Sequence, residues 1–292
     1  MLLEAAGEDD RGMRIILTGG SGKLGSTVTT SLRTAGHTVV VLDRAVERGE
    51  GIPVDLTDAG QTLDAIAGVE EQHDGVDAIV HLAAIPAPGL FPDVVTFENN
   101  ILSTHHVLQA ARRAGVRRIV TASSETLLGL PMDVPPSYLP VDEDVTLPNS
   151  TYSMTKHLEE QIAVTFCRWD PTLSITAMRF SNVMVEADYA GFEAWQDDPT
   201  LRKWNAWGYI DARDAAEAIR LALEVRGPGF ERYIIANADT VMRTPSTELA
   251  AAVFPGVPFT RPVEGRETLL SIDKARRELG WEPAHSWLDT RP

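Results

Sequence analysis

Residues 13–25, MRIILTGGSGKLG, indicate the fold most clearly, because a short apolar run ends there in a turn rich in glycine. A buried strand followed by glycines and then by a helix predicts the first half of a strand–helix–strand unit. Glycines at these positions let the backbone turn tightly and approach a phosphate, and the free amides at the helix start favour its charge. The turn is therefore predicted to bind a pyrophosphate through Gly19, Ser21, Gly22, Lys23, Leu24 and Gly25.

The second strand, Thr38–Asp43 (TVVVLD), ends in an acid 18 residues after Gly25. An acid at this position accepts hydrogen bonds from the ribose hydroxyls of a dinucleotide and repels a 2′-phosphate, which favours NAD over NADP. The neighbouring Arg44 is able to hold a 2′-phosphate, so both nucleotides remain open at this point. The alternative interpretation is that the turn is purely structural and Asp43 is a solvated strand end.

Apolar runs alternate with helical stretches over the first 180 residues. Strands are predicted at 13–18, 38–43, 76–82, 118–122 and 173–178, and helices at 23–35, 57–67, 94–114 and 151–169. Such alternation predicts right-handed strand–helix–strand units, and hence a Rossmann-type, doubly wound parallel sheet of the α/β class.

The alternation becomes irregular after about residue 180, where six prolines fall between positions 199 and 262. We predict a dinucleotide-binding domain at 13–180, completed by parts of 208–240. A small, discontinuous C-terminal lobe for substrate is predicted at 181–207 and 241–292, with a strand at 233–236 and helices at 247–253 and 271–279. Residues 1–12 are predicted to be a polar tail.

The composition excludes several functions. Lys and Arg number 26 against 42 Asp and Glu, a formal charge of −16, so nucleic-acid or membrane binding is not expected. The single cysteine, Cys167, excludes a disulfide framework and a cysteine-based zinc site, and no metal is predicted. No run of 18 apolar residues is present and the start does not read as a secretion signal, so a cytoplasmic location is expected.

Tyr152 and Lys156 lie four positions apart in a predicted helix, and therefore on one face of it. A tyrosine hydroxyl is a poor base near neutral pH, but an ammonium group one turn away favours the phenolate. Tyr152 is thus a candidate general base that removes a hydroxyl proton while hydride leaves the same carbon. Ser124 follows the fourth predicted strand, at the sheet edge where ligands bind, and is predicted to hydrogen-bond the reacting oxygen.

The motifs resemble, in the same order, those of extended short-chain dehydrogenase/reductases, the NAD-dependent epimerase/dehydratase family. The similarity covers about residues 13–285 and includes TGGSGKLG, Asp43, Asp55-Leu56, His81-Leu82-Ala83-Ala84, Asn99-Asn100, Ser123-Ser124 and the Tyr152/Lys156 pair. It implies that Asp55 and Leu56 flank the adenine, that Leu82, Ala83 and Ala84 line the NAD site, and that Asn100 supports it. It also implies that Ser124, Tyr152 and Lys156 are catalytic. A homodimer is implied, joined by the helices at 94–114 and 151–169.

Members of this family include nucleotide-sugar epimerases, dehydratases, uronate dehydrogenases and carbonyl reductases. Asn182, after Arg179, matches the asparagine that contacts the diphosphate in epimerases, but Trp207-Gly208 stands where those enzymes carry a diphosphate-binding arginine. Glu125 fills the first position of the acidic pair of dehydratases, whereas Thr126 fills the second. Uronate dehydrogenases keep an arginine at the position of Arg179, but Glu125 would repel a carboxylate. The predicted substrate contacts are Glu125, Thr126, Arg179, Asn182 and Trp207.

Half of the six tryptophans, Trp195, Trp204 and Trp207, fall within 13 residues, where they serve either a sugar-binding surface or the core of the small lobe. The sequence predicts an NAD-dependent oxidoreductase that transfers hydride at a secondary alcohol or ketone of a sugar or nucleotide sugar. Dehydrogenation and epimerisation share the first half-reaction and both remain open. The alternative is a non-catalytic NAD(P)-binding regulator or redox sensor, which the presence of both Tyr152 and Lys156 disfavours.

Overall fold

The computed structural model describes residues 12–47, 49–68, 75–225 and 227–289, so the predicted tail lies outside it except for Gly12. The strands of these ranges are β1 (Arg14–Thr18), β2 (Thr38–Asp43), β3 (Ile52–Pro53), β4 (Ala78–His81), β5 (Arg118–Ser124), β6 (Ser174–Phe180), β7 (Val183–Met184), β8 (Ile210–Asp211) and β9 (Gly229–Ile235). The α-helices are α1 (Lys23–Thr34), α2 (Ala59–Ala67), α3 (Asp93–Ala114), α4 (Thr151–Trp169), α5 (Ala212–Glu224), α6 (Ser246–Val253) and α7 (Asp273–Leu279).

Seven strands form one sheet in the order β3-β2-β1-β4-β5-β6-β9, and each pair in it is parallel. The chain proceeds outward from β1 to β3, then returns to the other side of β1 with β4. The strand order therefore reverses between β1 and β4, and ligands of such sheets bind outside the carboxyl ends of the strands at that point. The predicted doubly wound parallel sheet is confirmed.

Alternate residues of β1 belong to two separate hydrophobic cores. Ile15 and Leu17 are buried on the face covered by α1 and α5, whereas Ile16 is buried on the face covered by α2, α3 and α4. Each fully buried Ile or Leu contributes about 1.5–3 kcal/mol relative to exposure, so both faces stabilise the sheet. This burial on both faces explains why the strands read as continuous apolar runs.

The structure changes several predicted boundaries. The fourth predicted strand continues to Ser124, the fifth to Phe180, and β9 begins at Gly229 rather than at residue 233. The two-residue strands β3, β7 and β8 were not predicted, because two residues carry no periodicity. The 3₁₀ segments Glu186–Trp195 and Pro199–Asn205 were also not predicted.

The C-terminal part of the chain contributes to the sheet and also extends beyond it. β9 pairs with β6 and α5 packs against α1, so these elements complete the sheet and its helical cover. Trp207, Leu270 and Trp281 share one continuous core with Ile15, which ties the remaining segments to the sheet. The division into a cofactor-binding domain and a substrate lobe stays a prediction. In the described ranges, no helix is long and apolar enough to cross a membrane.

Candidate active site

A cavity of about 1170 Å³ lies at the carboxyl ends of the parallel strands. Its wall is formed by Gly19 and by residues 21–25, 43–45, 82–88, 122–126 and 180–183, which follow or end β1, β2, β4, β5 and β6. The first residues of α4 close the same wall. The structure thus brings most of the predicted site residues to one surface at the point where the strand order reverses.

The glycine turn admits no side chain at two of its positions. Gly19 has a φ of +74°, and a Cβ there would lie 2.7 Å from the backbone nitrogen of Ala83. A Cβ on Gly25 would lie 2.1 Å from the carbonyl oxygen of Gly19. Gly22 directly precedes α1, whose first amides have no partners within the helix. These residues fit a pyrophosphate, which α1 would hold through backbone amides.

Asp43 is fixed at the cavity wall by two backbone donors. Its carboxylate accepts hydrogen bonds from the amides of Ser21 (3.0 Å) and Arg44 (2.7 Å). The Arg44 guanidinium forms an ion pair with the carboxylate of Asp55 at 3.1 Å. Because Arg44 is engaged in this pair, the site beside Asp43 favours a ribose with free hydroxyls over a 2′-phosphate. Hydrogen bonds from Thr57, with a smaller contribution from Arg44, hold the pKa of Asp55 below its usual range. Asp55 itself lies outside the cavity wall, which its neighbour Leu56 lines.

Asn100 supports the wall from behind. Its side chain accepts a hydrogen bond from the amide of Ile85 (2.8 Å) and donates one to the carbonyl of the same residue (3.1 Å). This pair of bonds fixes the segment after β4, where Leu82, Ala83 and Ala84 line the cavity. Asn100 therefore holds the backbone of Ile85 in place, and its role toward the cofactor stays a prediction.

Ser124, Tyr152 and Lys156 converge on the cavity. A capping box between Ser150 and Ser153 starts α4. Tyr152 and Lys156 are four residues apart in this helix and therefore lie on one face, with the Lys156 ammonium 5.9 Å from the centre of the Tyr152 ring. The Ser124 hydroxyl accepts hydrogen bonds from the amide and hydroxyl of Thr126, at 3.1 and 3.0 Å. Ser124 is also a hydrogen-bond partner of Tyr152, and this contact acts to lower the pKa of the tyrosine.

Burial and neighbouring charged groups shift the pKa values of Tyr152 and Lys156. Burial raises the pKa of Tyr152, while the Lys156 ammonium and the Ser124 hydroxyl act in the opposite direction. Lys156 donates to the carbonyl of Ala122 and to the carboxylate of Glu159, each at 2.9 Å. Burial opposes the ammonium form, but Glu159, Tyr152 and Glu160 together outweigh it and keep the pKa of Lys156 above its ordinary value. Glu159 was not predicted, although its i+3 spacing from Lys156 was visible in the sequence.

Glu125 lies in the wall next to Ser124 and is 3% exposed. Its carboxylate accepts hydrogen bonds from the hydroxyl of Ser181 (2.5 Å) and the amide of Asn205 (3.1 Å). Burial raises the pKa of Glu125 to about 7, against the effect of these two hydrogen bonds. Thr126 and Asn182 also line the cavity, and their contact with substrate stays a prediction. Ser181 and Asn205 carried no recognisable signal, because only the tertiary structure places them against Glu125.

The structure corrects the prediction that Arg179 contacts substrate. Arg179 is fully buried, and its five N–H groups all have acceptors. Two of them bind the carboxylate of Glu160 at 2.9 Å, and the others bind the carbonyls of Glu143 and Val145 and the hydroxyl of Thr146. An arginine with every donor occupied has none left for a diphosphate or carboxylate, so its role is structural.

The structure also corrects the prediction that Trp207 contacts substrate. It is fully buried, its indole donates to the carbonyl of Pro199 (2.8 Å), and its ring packs on Phe254. Trp204 lines the cavity instead. The rings of Trp195 and Trp204 enclose the Arg202 guanidinium at 4.5 and 4.8 Å from their centres. The tryptophan cluster therefore divides between core and cavity.

The described residues contain no group of three or more His, Cys, Asp or Glu side chains arranged to hold a metal ion. His81 is packed between the hydroxyls of Thr18 (2.8 Å) and Thr104 (3.1 Å). Burial, with a smaller effect of Lys156, lowers the pKa of His81 to about 3, so it is neutral. His81 is thus a packed core residue at the end of β4.

A parallel sheet with a dinucleotide turn at its switch point, and a Ser–Tyr–Lys set above β5, is typical of the short-chain dehydrogenase/reductase class. The chain belongs to the NAD dependent epimerase/dehydratase family, whose model matches residues 15–196. It is therefore an NAD-dependent enzyme rather than a non-catalytic regulator.

Several known proteins are similar over almost the whole chain. UDP-glucose 4-epimerase of Corynebacterium glutamicum is 27% identical and aligns with 95% of this chain and 93% of its own length. A short-chain dehydrogenase/reductase superfamily protein of Agrobacterium tumefaciens, solved with bound NAD, is 25% identical with a TM-score of 0.70, covering 94% and 93% of the two chains. UDP-glucose 4-epimerase of Thermotoga maritima, at 22% identity, 94% coverage of both chains and a TM-score of 0.70, shares the fold.

Proposed function

We propose that Tyr152, Lys156 and Ser124 carry out NAD-dependent oxidation and reduction at a secondary alcohol of a sugar-like substrate. The observation that carries the proposal is their convergence on the wall that also holds the glycine turn and Asp43. NAD, when bound, supplies the hydride acceptor, and in its reduced form the hydride donor. The turn, Asp43, Leu56 and residues 82–84 would hold it.

In this proposal, Tyr152 takes the proton from the substrate hydroxyl and returns it in the reverse direction. Lys156 stays protonated, favours the phenolate and retains one N–H, beyond those given to Ala122 and Glu159, for the nicotinamide ribose. Ser124, held by Thr126, directs its hydroxyl to the reacting oxygen. Thr126 and Asn182 contact the substrate, and burial of the cavity wall excludes water from the reacting groups.

The first candidate reaction is epimerisation of a UDP-hexose. Curated relatives such as the Corynebacterium glutamicum protein are named UDP-glucose 4-epimerase, and Asn182 lies in the cavity wall. The test is incubation of the purified protein with UDP-glucose and NAD, followed by chromatographic separation of UDP-glucose from UDP-galactose. Formation of UDP-galactose without accumulation of NADH supports epimerisation.

A second candidate, dehydrogenation of an uncharged sugar, is favoured by the charges of the wall. Among the residues that line the cavity, the cationic ones are Lys23, Arg44 and Lys156, and all three lie in the part assigned to NAD. A diphosphate that lacks a charge-assisted partner binds weakly. In this case free sugars with NAD yield NADH, measured by its absorbance, while UDP-glucose is unchanged. If neither substrate type reacts, both candidates are wrong.

Replacing Asp43 with asparagine is expected to lower the affinity for NAD about tenfold and to reduce the preference of the protein for NAD over NADP. The side-chain oxygen of the asparagine still accepts the hydrogen bond from the backbone amide of Ser21, but the residue no longer carries the charge that repels a 2′-phosphate. Calorimetric titration with both nucleotides measures the effect. Asp64→Asn, on the exposed face of α2, is the matched control and should bind as the wild type does. An unchanged NAD/NADP ratio in Asp43→Asn contradicts the assignment.

We further propose that a second copy of this chain covers the neighbouring helices α3 and α4. Both present exposed apolar side chains, 39–60% exposed, at Val94, Val95, Leu102, Met154, Val164 and Trp169. Apolar surface of this kind favours association, and the two helices pack side by side. The proposed location is the cytoplasm, where NAD is available and the Cys167 thiol stays reduced.

Leu102→Glu is expected to convert the dimer into a monomer, because it places a charge in the apolar contact. Size-exclusion chromatography with light scattering gives the mass of each form. Leu201→Glu is the control, since Leu201 is exposed to a similar degree in the 3₁₀ segment Pro199–Asn205. A wild-type protein that is monomeric at all concentrations overturns this assignment.

A further inference from the structure

Glu125 occupies a position that the proposed reaction does not use. It follows Ser124 in the cavity wall, and its carboxylate joins three segments: the end of β5, Ser181 after β6, and Asn205 at the end of a 3₁₀ segment. It is almost fully buried. The catalytic strand end and the substrate side of the cavity are therefore connected through one ionisable group.

Two described residues, Arg202 and Tyr152, interact with the charge of Glu125. Arg202 is the cation that faces it, with its guanidinium stacked between Trp195 and Trp204 and bonded to the carbonyl of Gly208. Burial raises the pKa of Tyr152, the proposed general base, and the charge of Glu125 adds a smaller effect in the same direction. The Ser181 hydroxyl donates to the carboxylate and is able to accept from the protonated acid, so the pocket accommodates both forms.

We propose that Glu125 is a specificity-determining residue whose negative charge opposes any second negative charge beside Ser124. That second charge is either the phenolate of Tyr152 or an acid group on the substrate. The site accordingly accepts sugar-like substrates with an uncharged reacting ring and rejects uronic acids. The inference rests on the proposed function, since it concerns the same cavity.

The pH dependence has a definite sign. Below its pKa of about 7 Glu125 is protonated and neutral, so its opposition to a second negative charge is weak. Above that pKa it is ionised and the opposition is complete. Discrimination against a uronic acid is therefore expected to increase as the pH rises through neutrality. A glutamine at this position removes that dependence.

The first test follows the phenolate absorbance of the NAD-saturated protein against pH and needs no substrate. Tyr152→Phe provides the baseline, so that the difference reports Tyr152 alone. Glu125→Gln is expected to move the phenolate midpoint down by about half a pH unit, because a nearby negative charge is lost. Glu143→Gln is the matched control: Glu143 is also buried, burial also raises its pKa, and it lies outside this wall. It should leave the midpoint unchanged.

The second test compares binding of UDP-glucose with UDP-glucuronate, and of glucose with glucuronate, to the NAD complex. One of these two pairs is expected to bind. Above neutral pH, the wild type should bind the member with the uncharged sugar ring about tenfold more tightly than the glucuronate member, and Glu125→Gln should lose most of this preference. Ser181→Ala removes a hydrogen bond to the carboxylate, so the preference should appear at higher pH. Thermal melts confirm that each variant is folded.

An unchanged phenolate midpoint together with an unchanged preference in Glu125→Gln overturns the inference. Absence of sugar binding in both pairs overturns its substrate part. Failure of the proposed function looks different, because the phenolate titration would then be the same in the wild type and in Tyr152→Phe. The two failures are thus distinguished in one set of variants.

Discussion

Replacing Tyr152 with phenylalanine is expected to lower the rate of hydride transfer about a thousandfold while NAD binding stays close to that of the wild type. General acid–base groups of this kind contribute about 10²–10⁴ to the rate. The phenyl ring keeps the packing at the start of α4, so only the oxygen beside Ser124 and Lys156 is lost. The measurement is NADH formation or epimer formation, on whichever substrate reacts, alongside NAD titration by calorimetry.

The matched control for this variant is Tyr138→Phe. The Tyr138 hydroxyl bonds the carboxylate of Asp142 at 2.7 Å, outside the cavity wall, so its removal should leave the rate unchanged. If Tyr152→Phe retains most of the activity, another group carries the proton and the role of Tyr152 is wrong. A parallel loss of NAD binding would instead show that Tyr152 acts in binding.

Replacing Gly25 with alanine is expected to weaken NAD binding at least about a hundredfold. The added Cβ would lie 2.1 Å from the Gly19 carbonyl oxygen and 2.7 Å from the Gly20 Cα, so the turn has to open. Backbone amides bind a pyrophosphate only when the turn holds them in place, which makes binding sensitive to a small displacement. Overpacking of this kind also lowers the free energy of unfolding, by about 1–3 kcal/mol.

Gly191→Ala serves as the control for the glycine turn. A Cβ at Gly191 meets no described atom within 4 Å, and its φ is not in the left-handed region. NAD titration and chemical denaturation of both variants separate loss of the site from loss of stability. Wild-type NAD affinity in a folded Gly25→Ala protein would contradict the assignment of this turn to the pyrophosphate.

The individual strands, the glycine turn and the Tyr152/Lys156 pair could be predicted from the sequence, because each depends on neighbours close in the chain. Apolar periodicity is a local property, and it placed α4 at its observed ends. A spacing of four on a helix brings two side chains to one face whatever surrounds the helix. The same local reasoning set Asp43 at the end of β2, beside the turn.

The surroundings of these groups, in contrast, depend on contacts between segments that are distant in the chain. Arginine and tryptophan often bind phosphates and sugars, yet every N–H group of Arg179 already has an acceptor and Trp207 is enclosed in the core. Asn205 reaches Glu125 across 80 positions of sequence. Contacts at such separation depend on how β5, β6 and the 3₁₀ segments pack, and no local pattern encodes that packing. Burial, and the pKa shift of Glu125 that follows from it, is therefore a property of the folded chain alone.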